Sequence, residues 1–512
     1  MTSTQDTTRT IEAANPATGE VFGSVPVMDE AQVRQAVQRA RRAQESWGAL
    51  SARERGVFFK RLQDVVAANA REIAAKISRE TGKPLFDALL AEVMATCELI
   101  RTLRSDGPGI LADKKVSAGV LFYKKAWKSY QPYGVVGCIS PWNYPFTLAM
   151  HPALTALFAG NTVVLKPSEV TPTIGETAIE MFRKAGMPDG VFEVVTGDGS
   201  TGAALVEAGV DKIHFTGSTA TGKKIMAAAA ESLTPITMEL GGKDPMVVCE
   251  DADVERAANG AVWGAFTNSG QLCMSVERVY VPDAIYDDFT GRVIEKSKAL
   301  RQGIESDADH IDIGSMISPT QLDIVADHVD DAREAGATIE CGGHKRDDLP
   351  GVFYEPTVVT GVTQDMKIAT EETFGPVLPI IRVKDENEAV RLANDSRYGL
   401  TASVWTRSRE KGRRIADELV AGDVTINDHV VAYGVTTLPF GGMKESGFGR
   451  VHGVEGLLDF VKVKGHTEDR TPLQRELIWF PTPNGAFEFA ARAAGALYRT
   501  GIIDKIRSLL GH

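Results

Sequence analysis

The sequence predicts an α/β protein with two parallel sheets covered by helices, on three observations. From 134 to 248, short apolar runs alternate with helical stretches, the rhythm of βαβ units. Residues 252–440 repeat that rhythm with fresh runs. The 512-residue length exceeds what one simple core supports, so two or three domains are expected.

The elements follow in order. Residues 29–105 are helix-rich: Ala31 to Trp47 carries apolar residues at helical spacing, and Ser51 to Leu99 repeats the pattern with charges opposite. Asp106-Gly-Pro-Gly109 ends that block. Gly119 to Pro132 mixes aromatics with lysines and reads as a long exposed hairpin or edge strand. Such a strand invites pairing with another subunit. The first sheet draws on Gly134–Ile139, Thr162–Leu165, Val191–Val195, Lys212–Phe215 and Pro235–Met238. The second includes Arg278–Val281, Val377–Ile381 and Ala402–Trp405. Leu148 to Leu165 is apolar but broken by His151, Pro152, Gly160 and Asn161. It reads as a helix, a turn and a buried strand rather than a bilayer span.

Composition narrows the function. A net charge of -12 excludes nucleic acid as a main partner, because phosphate binding needs a basic surface. Five cysteines, at 97, 138, 249, 273 and 341, show no C-x-x-C pair and no metal spacing, so no metal site is expected. They fit free thiols in a reducing compartment. The polar N-terminus lacks an apolar signal core. A cytoplasmic location is expected.

Several motifs carry chemistry. Cys273, in Phe266-Thr-Asn-Ser-Gly-Gln-Leu-Cys273, is a candidate nucleophile, and Glu239, in Met238-Glu-Leu-Gly-Gly-Lys243, a candidate base. In Pro141-Trp-Asn-Tyr-Pro145 two prolines hold Asn143, whose amide can donate to an oxyanion or simply make a turn. Phe215-Thr-Gly-Ser218 ends a strand and opens a helix, which makes an anion site or an ordinary βα turn. Gly197-Asp-Gly-Ser-Thr-Gly202 matches the dinucleotide fingerprint, but Asp198 would oppose a phosphate, so a loop is expected. Lys166 and Glu169, at a strand end, can hydrogen-bond ribose hydroxyls or form a solvated pair. The carboxylate would repel a 2′-phosphate and so favours NAD over NADP. In Glu371-Glu-Thr-Phe-Gly-Pro376, Glu372 can bind a ribose and Phe374 can pack a ring, or the run is a surface turn. The acidic run 306–312 lacks calcium-loop spacing and reads as a solvated loop.

Together, these runs resemble the aldehyde dehydrogenase superfamily from about residue 12 to about 465, with Pro439 to Arg450 as a further matching run. The branch resembled holds succinate-semialdehyde, fatty and aromatic aldehyde dehydrogenases. The resemblance implies a Rossmann-like NAD-binding domain (1–115 and 135–239), an α/β catalytic domain (240–450) and a small β oligomerisation element (116–134 and 451–470). It places a late strand of that element near Phe460–Lys464. It implies NAD-dependent oxidation of an aldehyde to the acid, with NADP as the alternative, by a homodimer or homotetramer. Carried over by motif, Cys273 is the nucleophile, Asn143 the oxyanion donor and Glu239 the water-activating base. Trp142, Lys166, Ser168, Glu169, Gly217, Ser218, Leu240, Glu372 and Phe374 are the implied cofactor-binding residues. CoA-acylating relatives lack the glutamate at 239, so hydrolysis is expected. Where one succinate-semialdehyde subgroup carries an arginine, this chain has His151. Both that substrate and an apolar aldehyde stay open. Beyond the resemblance, 471–512 forms a basic amphipathic extension, read as a peripheral membrane contact, a pocket lid or a subunit contact. An inactive or lipid-surface relative that keeps the fold is the alternative reading.

Overall fold

In the computed structural model, residues 9–306, 310–471, 473–476 and 479–510 are described. The polar first residues and Asp307 and Asp309 of the acidic run lie outside them. Asp312, from the same run, pairs with Arg301 at 2.7 Å.

The chain divides into two compact units, 1–112 with 130–464, and 113–129 with 465–512. The first unit holds two sheets. One has five parallel strands: β1 (Val135–Ile139), β2 (Thr162–Lys166), β3 (Phe192–Val194), β4 (Lys212–Thr216) and β5 (Ile236–Glu239). β1, β2 and β4 are buried at every position, which is why they read as unbroken apolar runs. The order is β5-β4-β1-β2-β3, so connections reverse direction at β1. Clefts at such reversals, outside the carboxyl ends of the strands, bind ligands. Gly447–Phe448 closes one edge antiparallel to β5, with Gly447 opposite Glu239.

Two helices of this half position chemistry. Helix α1 (Pro145–Phe158) is buried along all 14 residues and starts on a proline, which suits a first helical position. Helix α2 (Thr219–Ala230) is capped by Ser218, whose side chain accepts from the Thr221 N–H.

The second sheet has seven strands: β6 (Asp244–Val248), β7 (Val276–Pro282), β8 (Thr338–Cys341), β9 (Thr357–Thr360), β10 (Val377–Val383), β11 (Thr401–Trp405) and β12 (Asp423–Ile426). Their order is β8-β9-β10-β7-β6-β11-β12, and only the β8–β9 pair is antiparallel. Leu240–Lys243 alone separates β5 from β6.

Two local expectations fail. Asp106–Gly109 does not end the helical block but lies inside the helix Ala95–Ile110. A side chain at 107 would strike the Phe158 ring, so Gly107 serves close packing, and the helix ends soon after Pro108. The run 197–202 is not a loop throughout, because Gly199 starts the helix Gly199–Glu207. Asp198 caps it by accepting the Ser200 N–H at 2.9 Å and pairs with Arg9. A carboxylate thus occupies the end where a phosphate would sit, which accounts for the fingerprint's false match.

The second unit contains Lys114–Val116 antiparallel to Lys124–Pro132, whose residues up to Ser129 belong to it. Lys124–Pro132 is not the edge strand that its sequence allowed: it is the middle of three, because the late strand pairs along its other side. There Trp127 stacks on His466 at 4.8 Å, and Lys125 pairs with Glu468 at 2.9 Å. The late strand runs from Val461 to Asp469. Further on, helices Ala486–Tyr498 and Ile502–Leu510 cross where Gly495 meets Ser508. Phe487, Phe489, Tyr498, Ile502, Ile503 and Leu510 are each more than 65% exposed. No described helix is long and apolar enough to cross a membrane.

Candidate active site

The site is built from loops that leave the two sheets close together. β5 delivers Glu239 as its last residue, and the turn after β4 is tied to it: the Gly217 N–H donates to the Glu239 carbonyl at 3.0 Å. Asn143 follows β1, just ahead of α1. Cys273 follows the helix Val254–Phe266 and a tight segment in which Asn268 and Ser269 adopt left-handed backbone angles of φ 50° and 57°. Such conformations are costly for residues other than glycine and gather at functional sites. Here Asn268 converts the strain into bonds: its Nδ2 donates to the carbonyls of Asn143 and Gln271, each at 3.1 Å.

Cys273, Glu239, Asn143 and Leu240 line one cavity of about 610 Å³. The other four cysteines do not reach it. Asn143 Nδ2 donates to the Gln271 carbonyl at 3.1 Å, so the amide points toward the Cys273 loop. Paired glycines make the approach close. A Cβ on Gly242 would strike the Cys273 carbonyl, and one on Gly241 would strike the Glu372 carboxylate.

Burial sets the electrostatics. It pushes the Cys273 thiol well above its ordinary range, and the nearby Glu239 carboxylate adds to that. Burial also raises Glu239 well above the usual carboxylate range, against a smaller opposing pull from Arg450. Glu239 Oε1 is buried without a hydrogen-bond partner among the described residues. The resting pair is therefore a thiol beside a carboxyl group of raised basicity, an arrangement that can pass a proton between sulfur, carboxylate and water.

The remaining motif residues are not on the lining of this cavity; they lie at strand ends of the first sheet or in the loop ahead of β10. At the end of β2, Lys166 Nζ donates to Glu169 Oε2 at 2.7 Å, and Ser168 Oγ accepts from the Val170 N–H at 3.2 Å. Gly217 and Ser218 form the mouth of α2. Glu372 Oε1 accepts from the Gly242 N–H at 2.8 Å, and burial pushes its carboxyl up to about 8. Phe374, at φ 52°, meets Trp142 edge to face at 5.4 Å. These residues thus rim the carboxyl ends of β1, β2, β4 and β5.

Sequence reasoning missed the residues that hold these in place. Glu277 accepts from the backbone N–H groups of Thr373 (2.9 Å) and Phe374 (3.0 Å) while pairing with the buried Lys243. It lies within the Gln271–Arg278 run beside Cys273, but no pattern announces a carboxylate that acts on backbone 97 residues away. Most of the cavity wall was missed as well: Tyr144, Thr216, Trp263, Met274, Tyr433 and Phe440 come from separate segments.

The chain has relatives among known proteins. The model of the aldehyde dehydrogenase family matches residues 2–465. The chain is 41% identical over 481 residues to a 4,4'-diapolycopene aldehyde oxidase of Methylomonas, covering 94% of this chain and 89% of that one. It is 39% identical over 494 residues to a putative NADP(+) succinate-semialdehyde dehydrogenase of Mycolicibacterium smegmatis, covering 96% and 92%. Among solved structures, an NAD+ complex of an aldehyde dehydrogenase from Bacillus cereus superposes with a TM-score of 0.86 at 35% identity, covering 90% of this chain and 94% of that one. The chain belongs to the aldehyde dehydrogenase family, oxidoreductases that convert aldehydes to carboxylic acids.

Proposed function

We propose that this enzyme oxidises a sizeable apolar aldehyde to the free acid with NAD, through Cys273, Asn143 and Glu239. The observation that carries the substrate class is the cavity wall. Phe86, Leu90, Met94, Trp263, Met274 and Tyr433 supply much of it, and no arginine or lysine is among its residues. A distal carboxylate such as that of succinate semialdehyde wants a cationic partner. His151 does not supply one: it is fully buried, its Nδ1 shares a 2.7 Å hydrogen bond with His452 Nε2, and its ring stacks on Tyr433. Burial holds His151 well below the ordinary imidazole range and pulls His452 down to about 3. The mycobacterial relative's name favours succinate semialdehyde as the second reading.

The residues fit a dinucleotide. Helix α2 presents the N–H groups of its first turn beside Ser218, and the glycines at 241 and 242 let the Glu372 carboxylate lie against the end of β5. Gly217 and Ser218 would hold the pyrophosphate, Lys166, Ser168 and Glu169 the adenosine ribose, and Trp142, Leu240, Glu372 and Phe374 the nicotinamide end. Glu169, 44% exposed beside Lys166, disfavours a 2′-phosphate. Bound there, the nicotinamide supplies a hydride acceptor.

Cys273 Sγ forms a bond to the aldehyde carbon, and its proton passes through the ionised form of Glu239 to solvent, which leaves that carboxylate free for the later step. Asn143 Nδ2 and the Cys273 N–H donate to the oxygen as it becomes negative. The carbon then loses hydride and becomes a thioester on Cys273. Glu239 takes a proton from water, hydroxide adds to the thioester, and the acid leaves as the thiol reforms. A glutamate at 239 supports hydrolysis over transfer to CoA.

The exposed edges of the second unit support two further proposals. The late strand Val461–Asp469, at a free edge of the three-stranded sheet whose middle strand is Lys124–Pro132, pairs copies into a homodimer or homotetramer. The helical pair 486–510 rests on a lipid surface, its apolar residues in the bilayer interface and Arg492, Arg499, Lys505 and Arg507 near anionic headgroups.

Aldehydes of increasing chain length test the substrate reading: kcat/KM rises about fourfold per added methylene until the cavity fills, and succinate semialdehyde stays well below. A preference for succinate semialdehyde would reject it. Cys273→Ala removes NADH production while NAD still binds by calorimetry. Glu239→Gln gives a burst of about one NADH per site, then turnover slowed roughly 10²–10⁴-fold. Because burial raises Glu239, wild-type hydrolysis climbs with pH through an ionisation above the usual carboxylate range, and the glutamine variant lacks that limb. Truncation after Phe480 abolishes binding to anionic liposomes with the oligomer intact by light scattering. A monomer would instead make the tail a subunit contact.

A further inference from the structure

Asn143 sits above a buried ion pair that no step of the reaction uses. Lys83 Nζ donates to the Asn143 carbonyl at 2.6 Å and to Glu92 Oε1 at 2.7 Å, and both charged side chains are completely buried. The ammonium also lies 3.8 Å from the centre of the Tyr144 ring. The other oxygen of Glu92 accepts from the N–H groups of Phe146 (2.8 Å) and Thr147 (3.3 Å), in the first turn of α1. Tyr144, which precedes that helix, gives it no side-chain cap. Glu92 therefore caps α1 from another segment, where the negative charge also meets the positive end of the helix dipole.

The Asn143 carbonyl is saturated by this arrangement. One lone pair takes Lys83 and the other takes Asn268 Nδ2 at 3.1 Å. With its carbonyl fixed on two sides and the next helix pinned by Glu92, the Asn143 backbone cannot swing. Only the side-chain amide stays adjustable, and it points toward the Gln271 carbonyl, two residues before Cys273. Glu92 belongs to the π-helical segment Ala88–Met94. This segment turns Leu90, Ala91 and Met94 to the cavity while Glu92 stays fully buried. Wide turns of this kind recur at functional sites.

We infer that Lys83 and Glu92 are positioning residues, which aim the Asn143 amide at the oxygen of the aldehyde. The inference rests on the oxyanion role proposed for Asn143. Neither Lys83 nor Glu92 lines the cavity, and of the groups they hold it is Asn143 that meets the oxygen of the aldehyde. The pair's contribution is therefore made in the transition state, where the oxygen carries charge, rather than in ground-state binding.

A double-mutant cycle tests this. Lys83→Met and Glu92→Gln are made together, so that no lone charge is left buried, in wild type and in Asn143→Ala. In wild type the pair of changes lowers kcat about 10–100-fold and moves KM less than about 3-fold. In the Asn143→Ala background the same changes cost no further rate. Equal losses in both backgrounds, an unchanged kcat in wild type, or a loss confined to KM would overturn the inference. An Asn143→Ala enzyme with full kcat would instead overturn the oxyanion reading itself. Should the combined variant fail to fold, Glu92→Gln alone is carried through the cycle, with a smaller loss that likewise vanishes without Asn143.

Discussion

Leu240–Lys243 is the constraint on which the site depends. It is the only chain between the last strand of the first sheet and the first strand of the second. Glu239 ends one strand, and Asp244 begins the next. Within that span Gly241 faces Glu372 and Gly242 faces the Cys273 carbonyl, so both glycines are excluded from carrying a side chain. Lys243 is buried against Glu277, which in turn holds Thr373 and Phe374. One short link therefore sets the carboxylate, the thiol and the loop bearing Glu372 relative to one another.

The same closeness explains the proton chemistry. Cys273 and Glu239 share a cavity from which much solvent is excluded; burial disfavours charge on both, and the Glu239 carboxylate adds to that effect on the thiol. Neither is a strong nucleophile or a free carboxylate at rest. Holding the thiol protonated keeps a reactive thiolate from persisting without substrate. The cost is that activation depends on dipoles already in place, such as the Asn143 amide, rather than on a standing negative charge.

Much of the fold was legible in the sequence because buried parallel strands must be apolar throughout, and their intervals must hold helices. β1, β2 and β4 are read almost to the residue. The residues proposed as catalytic and those at the strand ends stand out in the sequence only as motifs, since each lies on a short glycine- or proline-bearing turn. What stayed hidden was long-range capping and support. Asp198 as a helix cap, Glu92 capping α1 from over 50 residues away, and Glu277 holding a distant loop leave no local pattern, because their partners are backbone N–H groups that every residue has. Gly107 misled for a similar reason: a glycine that signals a turn locally was needed for the passage of the Phe158 ring.

The cation-free wall also bears on what happens after hydrolysis. The aldehyde enters neutral, but the acid formed beside Cys273 is an anion among apolar side chains, with Asp87, Glu98 and Glu239 on the same lining. No arginine or lysine on the described lining neutralises it, so burial there costs the acid more than it costs the aldehyde. On the proposed reading the site holds the acid less well than the aldehyde, which disfavours product inhibition.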